Sequence, residues 1–381
     1  MRLVRTAFLA TTILASSTTF AQADAKVIAS IKPVHSLVAA VMEGVGTPDL
    51  LVEGAGSPHT YSLKPSQARK LQDADLVFWM SHDLEAFLEK SIEGIATDAK
   101  SVPLMDTHGL IKLDFREGGA FDAHAHDDHD DHDDHKDHDD HDDHKDHDDH
   151  DDHKDHDDHK DHDDHDDHKD HVDHKDHDDH DDHKDHDDHK DHDDHDDHKD
   201  HDDHDDHGHH GTDPHVWLDP VNAKAMVHEI EEALVEADPA NAATYEANAE
   251  AMMSKLDELV TEIEAELEPV KGRGYVVFHD AYQYFETRFG VSAVGSITVS
   301  PEVLPGAERV VELRDKVRSL DATCVFSEPQ FEPKLVMTIT ENTNAGTGVL
   351  DPLGASIDDG PELYFTLIRN MAKSLKDCLL K

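Results

Sequence analysis

Three histidines of this 381-residue chain lie where the neighbouring residues indicate a defined local structure. His59 lies in a loop rich in glycine and proline, His215 follows Pro214, and His279 ends an apolar run. Imidazole is nearly neutral at pH 7 and is a ligand for Zn(II), Cu(II) and Ni(II). If the fold brings these side chains together, they can hold one metal ion; otherwise each is an ordinary surface or core histidine. We expect that ordinary role for four other histidines: His35, His82, His108 and His228.

The other 31 of the 38 histidines form the His/Asp tract, residues 124–210. From His129 to His207 a histidine stands at every third position, separated by 42 aspartates, 9 lysines and the single Val172. Almost no apolar side chain is present to offset an ordering cost of about 1–2 kcal/mol per residue. We therefore predict a disordered loop over residues 122–211. Its imidazoles and carboxylates predict weak, interchangeable binding of several metal ions, and an inert solvated linker is the alternative.

The formal charge of −55 comes largely from this tract. The remainder is an acidic chain of about 290 residues, which is enough for two domains. A surface of this sign argues against binding to nucleic acid.

The first 23 residues have the pattern of a secretory signal peptide. Arg2 and Arg5 precede a mostly apolar run from Thr6 to Ala15, and Ala21 to Ala23 has the small-x-small pattern of a cleavage site. The apolar run is too short to span a membrane. We expect cleavage after Ala23 and an exported, soluble, periplasmic protein.

The rest of the chain alternates apolar strand-like runs with helical patterns, which predicts parallel α/β sheets. Predicted strands are Val27–Ile31, Leu50–Val52, Leu76–Met80, Val102–Met105, Tyr275–His279, Ser292–Ile297, Cys324–Ser327 and a segment near Val349. Predicted helices are Pro33–Met42, Pro65–Leu71, Glu85–Ile95, Val221–Val235, Ala281–Phe289, Ala307–Leu320, Lys334–Asn342 and Pro361–Leu379. Ligands of such sheets bind at the carboxyl ends of strands. His279 ends a predicted strand at such a position.

One long helix divides the chain into two α/β lobes. After Asp238-Pro239, neither glycine nor proline interrupts the chain up to Glu268. Apolar residues repeat there at helical spacing: Met252, Leu256, Leu259, Val260, Ile263 and Leu267. About 30 residues at 1.5 Å each make a rigid rod of roughly 45 Å. We predict a first lobe over 24–237, which contains the 122–211 loop, a linking helix over 238–269 and a second lobe over 270–381.

The chain has two cysteines, Cys324 and Cys378. In an oxidising compartment such a pair favours a disulfide, and closing a loop of about 55 residues would stabilise the fold by ~4 kcal/mol. A cysteine metal site is the alternative, but both residues are far in sequence from the histidine motifs.

Three segments around the histidines resemble the metal-binding segments of the cluster A-I solute-binding proteins of ABC transporters, above all the members that serve zinc uptake. They are Ser57-Pro58-His59-Thr60-Tyr61-Ser62-Leu63-Lys64-Pro65-Ser66, Asp213-Pro214-His215-Val216-Trp217-Leu218-Asp219-Pro220 and Val277-Phe278-His279-Asp280-Ala281-Tyr282. Each motif is weak alone, and together they are specific. The resemblance covers essentially the whole mature chain.

The resemblance implies that His59 and His215 bind zinc from the first lobe and His279 from the second. Manganese relatives tend to have a carboxylate at the position of His279. A carboxylate near Asp351 is usual in the family, so we expect Asp351 or water as the fourth ligand. Some zinc relatives have Glu before the first histidine, where this chain has Pro58. We expect Glu328 to be structural.

The function implied is capture of Zn(II) between the lobes and its delivery to a membrane permease driven by a cytoplasmic ATPase. We expect a monomer without enzymatic activity, with Zn(II) as the transported ligand and further Zn(II) bound weakly in the tract. The tract would act as an antenna or sensor, because it ends five residues before His215. Alternatives are a manganese-binding relative, a periplasmic metal buffer or a zinc hydrolase. No H-E-x-x-H motif, which would supply a general base, occurs in the sequence.

Overall fold

Two four-stranded parallel sheets form the framework of the computed structural model, which describes residues 25–116, 121, 211–298, 306–319 and 322–381. The first sheet has the strand order β2-β1-β3-β4. Its strands are β1 Val27–Ala29, β2 Asp49–Leu50, β3 Leu76–Trp79 and β4 Lys100–Pro103. The second sheet has the order β6-β5-β7-β8. Its strands are β5 Tyr275–His279, β6 Ala293–Thr298, β7 Cys324–Ser327 and β8 Gly346–Val349. The predicted α/β class with two parallel sheets is confirmed.

Helices flank both sheets, as the alternating pattern predicted. They are α1 Lys32–Val41, α2 Pro65–Gln72, α3 Ala86–Ile95, α4 Pro220–Ala237, α5 Ala242–Leu267, α6 Gln283–Phe289, α7 Ala307–Ser319, α8 Lys334–Thr340 and α9 Leu363–Leu379. The start of α4 follows its sequence signal, because Asp219 accepts a hydrogen bond from the backbone N–H of Val221 at 2.9 Å and Pro220 occupies the first helical position. This capped turn fixes the chain just after His215.

The long helix α5 packs against both lobes. Its 26 residues span about 39 Å, and it starts four residues later than the predicted residue 238 because Pro239–Asn241 form a 3-10 turn. Its apolar stripe is buried: Tyr245, Ala249, Met252, Leu256, Leu259, Ile263 and Leu267. These side chains contact α1 and α4 from the first lobe and α9 from the second. One apolar core therefore runs from the first sheet through α5 to the second sheet.

The predicted disulfide between Cys324 and Cys378 is present, and it joins β7 to α9. Both cysteines are buried in the core of the second lobe. The bond ties the C-terminal helix to the strand that precedes Glu328.

Two predictions lie outside the described residues: the signal peptide over 1–23 and the His/Asp loop over 122–211, of which only residue 211 is described. Among the helices that the structure describes, none has the length and apolar character of a membrane span. All the described residues belong to one unit of the fold.

Candidate metal centre

The structure brings His59, His215 and His279 together. One ring nitrogen of each lies within 4.8 Å of the other two, and within the described ranges this is the one such group of three metal-binding side chains. The ring centroids are 5.3 to 5.9 Å apart. The segments that hold the three rings are far apart in sequence, so the cluster forms only when both lobes are folded.

The second lobe supplies His279 from the last position of β5. Beside it, β7 leads directly into Glu328, which is buried. Its Oε1 accepts hydrogen bonds from Nδ1 of His279 at 2.7 Å and from the backbone N–H of His279 at 3.3 Å. The carboxylate therefore holds both the ring and the backbone of His279, at the point where the strand order of the sheet reverses.

The first lobe supplies His215 just before the 3-10 turn Val216–Leu218. Asp213, whose side chain is fully buried, accepts hydrogen bonds through Oδ1 from Nδ1 of His215 at 2.6 Å and from its backbone N–H at 3.0 Å. The Trp217 ring packs against the imidazole with the centroids 5.2 Å apart. Its indole N–H donates to the carbonyl of Pro352 in the second lobe at 2.9 Å. Trp217, which packs against His215, thus joins the first lobe to the second by a hydrogen bond beside the site.

These two carboxylates determine which ring nitrogens face the centre of the site. A carboxylate accepts hydrogen bonds and donates none, so Nδ1 is the protonated nitrogen in both rings. The Nε2 lone pairs of His215 and His279 then converge, with the two atoms 3.4 Å apart. Tetrahedral zinc with Zn–N bonds of about 2.0–2.1 Å places neighbouring ligand nitrogens about 3.3 Å apart. The observed separation fits one tetrahedral ion between them.

His59 approaches from the loop that follows β2. Its Nε2 is buried and has no hydrogen-bond partner in the protein. The loop is held by Tyr61, whose hydroxyl donates to the carbonyl of Leu51 at 3.0 Å, and by Gln67, which donates to that carbonyl at 2.6 Å. Gly54 has φ of 63°, a left-handed conformation that favours glycine at this turn. The buried, unpartnered nitrogen is suited to a metal.

The electrostatics of the three rings differ. Burial, together with the nearby imidazoles of His215 and His279, lowers the pKa of His59 to about 2. Burial also lowers the pKa of His279, but the carboxylates around it, Glu328 first and then Asp213 and Asp280, together raise it above the ordinary value. His59 is therefore neutral and ready to bind a cation, whereas a proton competes for His279.

Asp351, which with water was one of two candidates for the fourth ligand, is not part of the cluster of metal-binding side chains. Its Oδ1 accepts hydrogen bonds from the amide of Gln330 at 3.0 Å and from the backbone N–H groups of Leu353 and Gly354. Its Oδ2 accepts from the N–H of Ala355 at 2.6 Å. The carboxylate caps the loop after β8, because the backbone there turns its N–H groups towards it.

Two residues of the site were not predicted to orient its histidines. Asp213 stood in a quoted motif without a role, and Glu328 was expected to be merely structural. The sequence did carry a signal for Glu328, because it directly follows the predicted strand Cys324–Ser327. That strand was expected in the same parallel sheet as the strand that ends at His279. The signal for Asp213 was its spacing of two residues before His215, which suits a turn in which a carboxylate accepts from the backbone two residues on.

Two parallel α/β lobes with three converging imidazoles, reached from the carboxyl ends of their strands, define a two-lobed metal-binding protein of the solute-binding class. The chain matches the ZnuA family, described as zinc-uptake complex component A, periplasmic, over residues 27–378. It belongs to that family.

Two relatives agree with this assignment. The high-affinity zinc uptake system protein ZnuA of Brucella suis biovar 1 is 50% identical over 383 residues, covering 100% of both chains. The protein of the same description from Paracoccus denitrificans is 37% identical, covering 93% of this chain and 91% of its own. A crystal structure of ZnuA has a TM-score of 0.61 at 20% identity, covering 93% of this chain and 99% of the other, and supports the fold.

Proposed function

We propose that this protein captures Zn(II) in the periplasm and delivers it to the permease of an ABC importer. The ion binds between the lobes through Nε2 of His59, His215 and His279. The observation that carries the proposal is the convergence of Nε2 of His215 and Nε2 of His279 at 3.4 Å, with each Nδ1 bonded to a buried carboxylate. Family membership supports the transport role, and the periplasm is where a component of this family acts.

Zinc is the metal that the donor set favours. Three neutral imidazoles suit Zn(II), whereas Mn(II) prefers harder oxygen ligands. Equilibrium competition between Zn(II) and Mn(II) tests this choice, with zinc expected to displace manganese at equal concentration. Displacement in the opposite direction would make the protein a manganese carrier.

The fourth coordination position belongs to a water molecule. The hydrogen bonds that Asp351 accepts from Gln330 and from three backbone N–H groups occupy its oxygens. Asp351 also does not line the cavity at the three rings, although the next two residues, Pro352 and Leu353, do. Replacing Asp351 with Asn tests this directly: a large loss of zinc affinity together with a changed Co(II) absorption spectrum would make Asp351 the ligand.

The His/Asp tract has a separate role as an antenna of weak sites that feeds the tight one. Its last residue, His210, stands five positions before His215 in sequence. Imidazoles flanked by aspartates bind dications weakly and exchangeably. An ion bound weakly there can exchange to a tighter site on the same chain, and this exchange is the proposed antenna role.

Zinc titration of the full chain and of a variant lacking residues 124–210 tests both parts. We expect one tight site to survive the deletion and the weak sites to vanish. If tight binding is lost as well, the protein is a metal buffer whose function resides in the tract. If the rate of zinc loading is unchanged, the tract is not an antenna.

A matched pair of histidine variants identifies the tight site. His279→Ala removes a converging imidazole, and His228→Ala removes an exposed one on α4. Tight binding should be lost in the first variant and kept in the second. Equal affinity in both would exclude the three-histidine cluster as the zinc site.

A further inference from the structure

The two ends of the long insertion are paired beside the metal centre. We call residues 113–116 and 211–213 the stem. Asp114 and Thr212 form an antiparallel bridge. The N–H of Phe115 donates to the carbonyl of Gly211 at 3.0 Å, and the N–H of Asp213 donates to the carbonyl of Leu113 at 2.9 Å. The insertion therefore leaves and rejoins the fold through two short segments that are joined by backbone hydrogen bonds.

Gly211 permits the close approach of the two halves of the stem. A Cβ at this position would lie 2.9 Å from the Phe115 ring, which is shorter than side chains tolerate. Any other residue at position 211 would force the Phe115 ring to shift. The pairing is thus built into the sequence on both sides.

The first lobe holds the approach to the stem through Asn222 of α4. Its Oδ1 accepts from the N–H of Ile111 at 2.8 Å, and its amide donates to the carbonyl of Ile111 at 2.9 Å. Asn222 is buried. This bidentate contact fixes the chain just before the stem begins.

The second lobe also grips the stem, through two neighbouring residues of α6. The hydroxyl of Tyr284 accepts from the N–H of Leu113 at 2.9 Å and donates to the carbonyl of Asp213 at 2.8 Å. The amide of Gln283 donates to the carbonyl of Asp114 at 3.0 Å and to Oδ2 of Asp213 at 2.8 Å. The stem is therefore bonded to both lobes.

An ion-pair network extends this grip to the outer end of the stem. The guanidinium of Arg116 pairs with Asp280 and Glu286, both nearly buried in the second lobe. Its charge also lies over the Phe121 ring, 4.2 Å from the centroid. Buried carboxylates left without this cation would be strongly destabilised, so Arg116 is a firm anchor.

Asp213 connects the stem to the metal centre. Its Oδ2 accepts the amide of Gln283 from the second lobe, while its Oδ1 accepts Nδ1 of His215 from the first. One buried carboxylate thus stands between helix α6 and a ring that points at the ion. A shift of the stem relative to α6 would turn that ring.

We propose that Gln283 and Arg116 are positioning residues that hold the stem across the two lobes and, through Asp213, keep His215 aimed at the metal. The stem thereby sets how slowly the ion leaves the site. This inference rests on the proposed function, since it assumes that His215 binds the ion. The role inferred for the stem is separate from the metal binding proposed for the His/Asp tract.

Release kinetics of the full chain test the proposal. The protein is loaded with one equivalent of Zn(II), mixed with excess chromogenic chelator, and the slowest release phase is followed. Gln283→Met keeps the length of the side chain but removes both donated hydrogen bonds, and we expect release about tenfold faster, as for other residues that orient a metal ligand. Gln283→Glu should release faster still, because its carboxylate would face Asp213.

A spectroscopic measurement separates positioning from loss of stability. Co(II) in place of Zn(II) reports ligand geometry, so Gln283→Met should shift its visible absorption bands, whereas a variant that is merely less stable keeps them. Arg369→Ala removes an exposed two-oxygen ion pair with Glu262 elsewhere on the surface. This control should change neither the release rate nor the spectrum.

Wild-type release and an unchanged Co(II) spectrum in Gln283→Met would overturn the inference and leave the proposed function standing. If Gln283→Met does not fold, Tyr284→Phe decides, because it removes a second side-chain contact of α6 with the stem and leaves the Asp213 carboxylate untouched; release at the wild-type rate would then refute the role of the stem. Absence of tetrahedral Co(II) bands in the wild type would instead refute the proposed function.

Discussion

Nδ1 of His215 lies 2.6 Å from Oδ1 of Asp213, and the same oxygen accepts the backbone N–H of His215 at 3.0 Å. His279 is held in the same way by Glu328. Each lobe thus contributes one imidazole fixed in ring and backbone by a single buried carboxylate oxygen. The site owes its geometry to carboxylates that bond Nδ1 of each ring, on the side opposite the converging Nε2 atoms.

Replacing Asp213 with Asn should weaken zinc binding by about 10- to 100-fold, the usual effect of losing a group that orients a metal ligand. The amide can present an N–H to Nδ1, which would favour the wrong protonated nitrogen on His215. Chelator competition measures the affinity. Asp257→Asn, at an exposed ion pair with Lys224, is the control and should bind as the wild type does.

Removing His59 should make the metal-free protein more tolerant of mild acid. The folded pKa of His59, about 2, is below the ordinary 6.5, so below pH 6.5 the unfolded chain binds a proton that the folded chain excludes. Above pH 6.5 the ring of His59 is neutral in both the folded and the unfolded chain, so its titration does not affect stability. The free energy of unfolding falls as the pH drops from 6.5 towards 2. Denaturant unfolding at pH 7 and pH 5 should show a smaller loss in His59→Leu than in the wild type. An equal loss in both proteins would contradict this assignment.

Acid should release zinc, and His279 should set the upper end of that pH range. Glu328 raises the pKa of His279, so protons compete with zinc for this ring at a higher pH than for His59. In Glu328→Gln the pKa of His279 should fall and the acid limb of zinc binding should move to lower pH. Zinc affinity measured from pH 8 to pH 5 tests the shift. If the midpoint stays where it is in the wild type, another group controls the release.

Breaking the disulfide should destabilise the second lobe without removing the zinc site. Cys324 and Cys378 are 54 residues apart, and a loop of that size corresponds to ~4 kcal/mol in the chain-entropy model. We expect the double variant Cys324→Ser and Cys378→Ser to unfold at a lower temperature. At a temperature where the variant is folded, it should still bind one zinc tightly. A reductant should lower the unfolding temperature of the wild type but not of the variant.

The alternation of apolar runs was sufficient to predict two parallel sheets, and the three histidine motifs were sufficient to predict which imidazoles the fold brings together. The start of α5 was predicted early, because a proline start signal does not distinguish a 3-10 turn from an α-helix. Asp351 was expected at the site by resemblance, but its hydrogen bonds depend on how the loop after β8 turns. The contact of Gln283 with Asp213 joins segments 70 residues apart, and nothing local to either residue indicates it.

All strands within each sheet run parallel, so the carboxyl ends of the strands lie at one edge of the sheet and the amino ends at the opposite edge. The metal centre and the stem both lie on connections that leave the carboxyl ends of strands. The turns before β4 and β8, residues 96–99 and 341–345, lie at the amino ends. A fluorophore or a surface tether attached at these turns would leave the ligands in place. The chain can therefore be immobilised as a zinc sensor without altering what it senses.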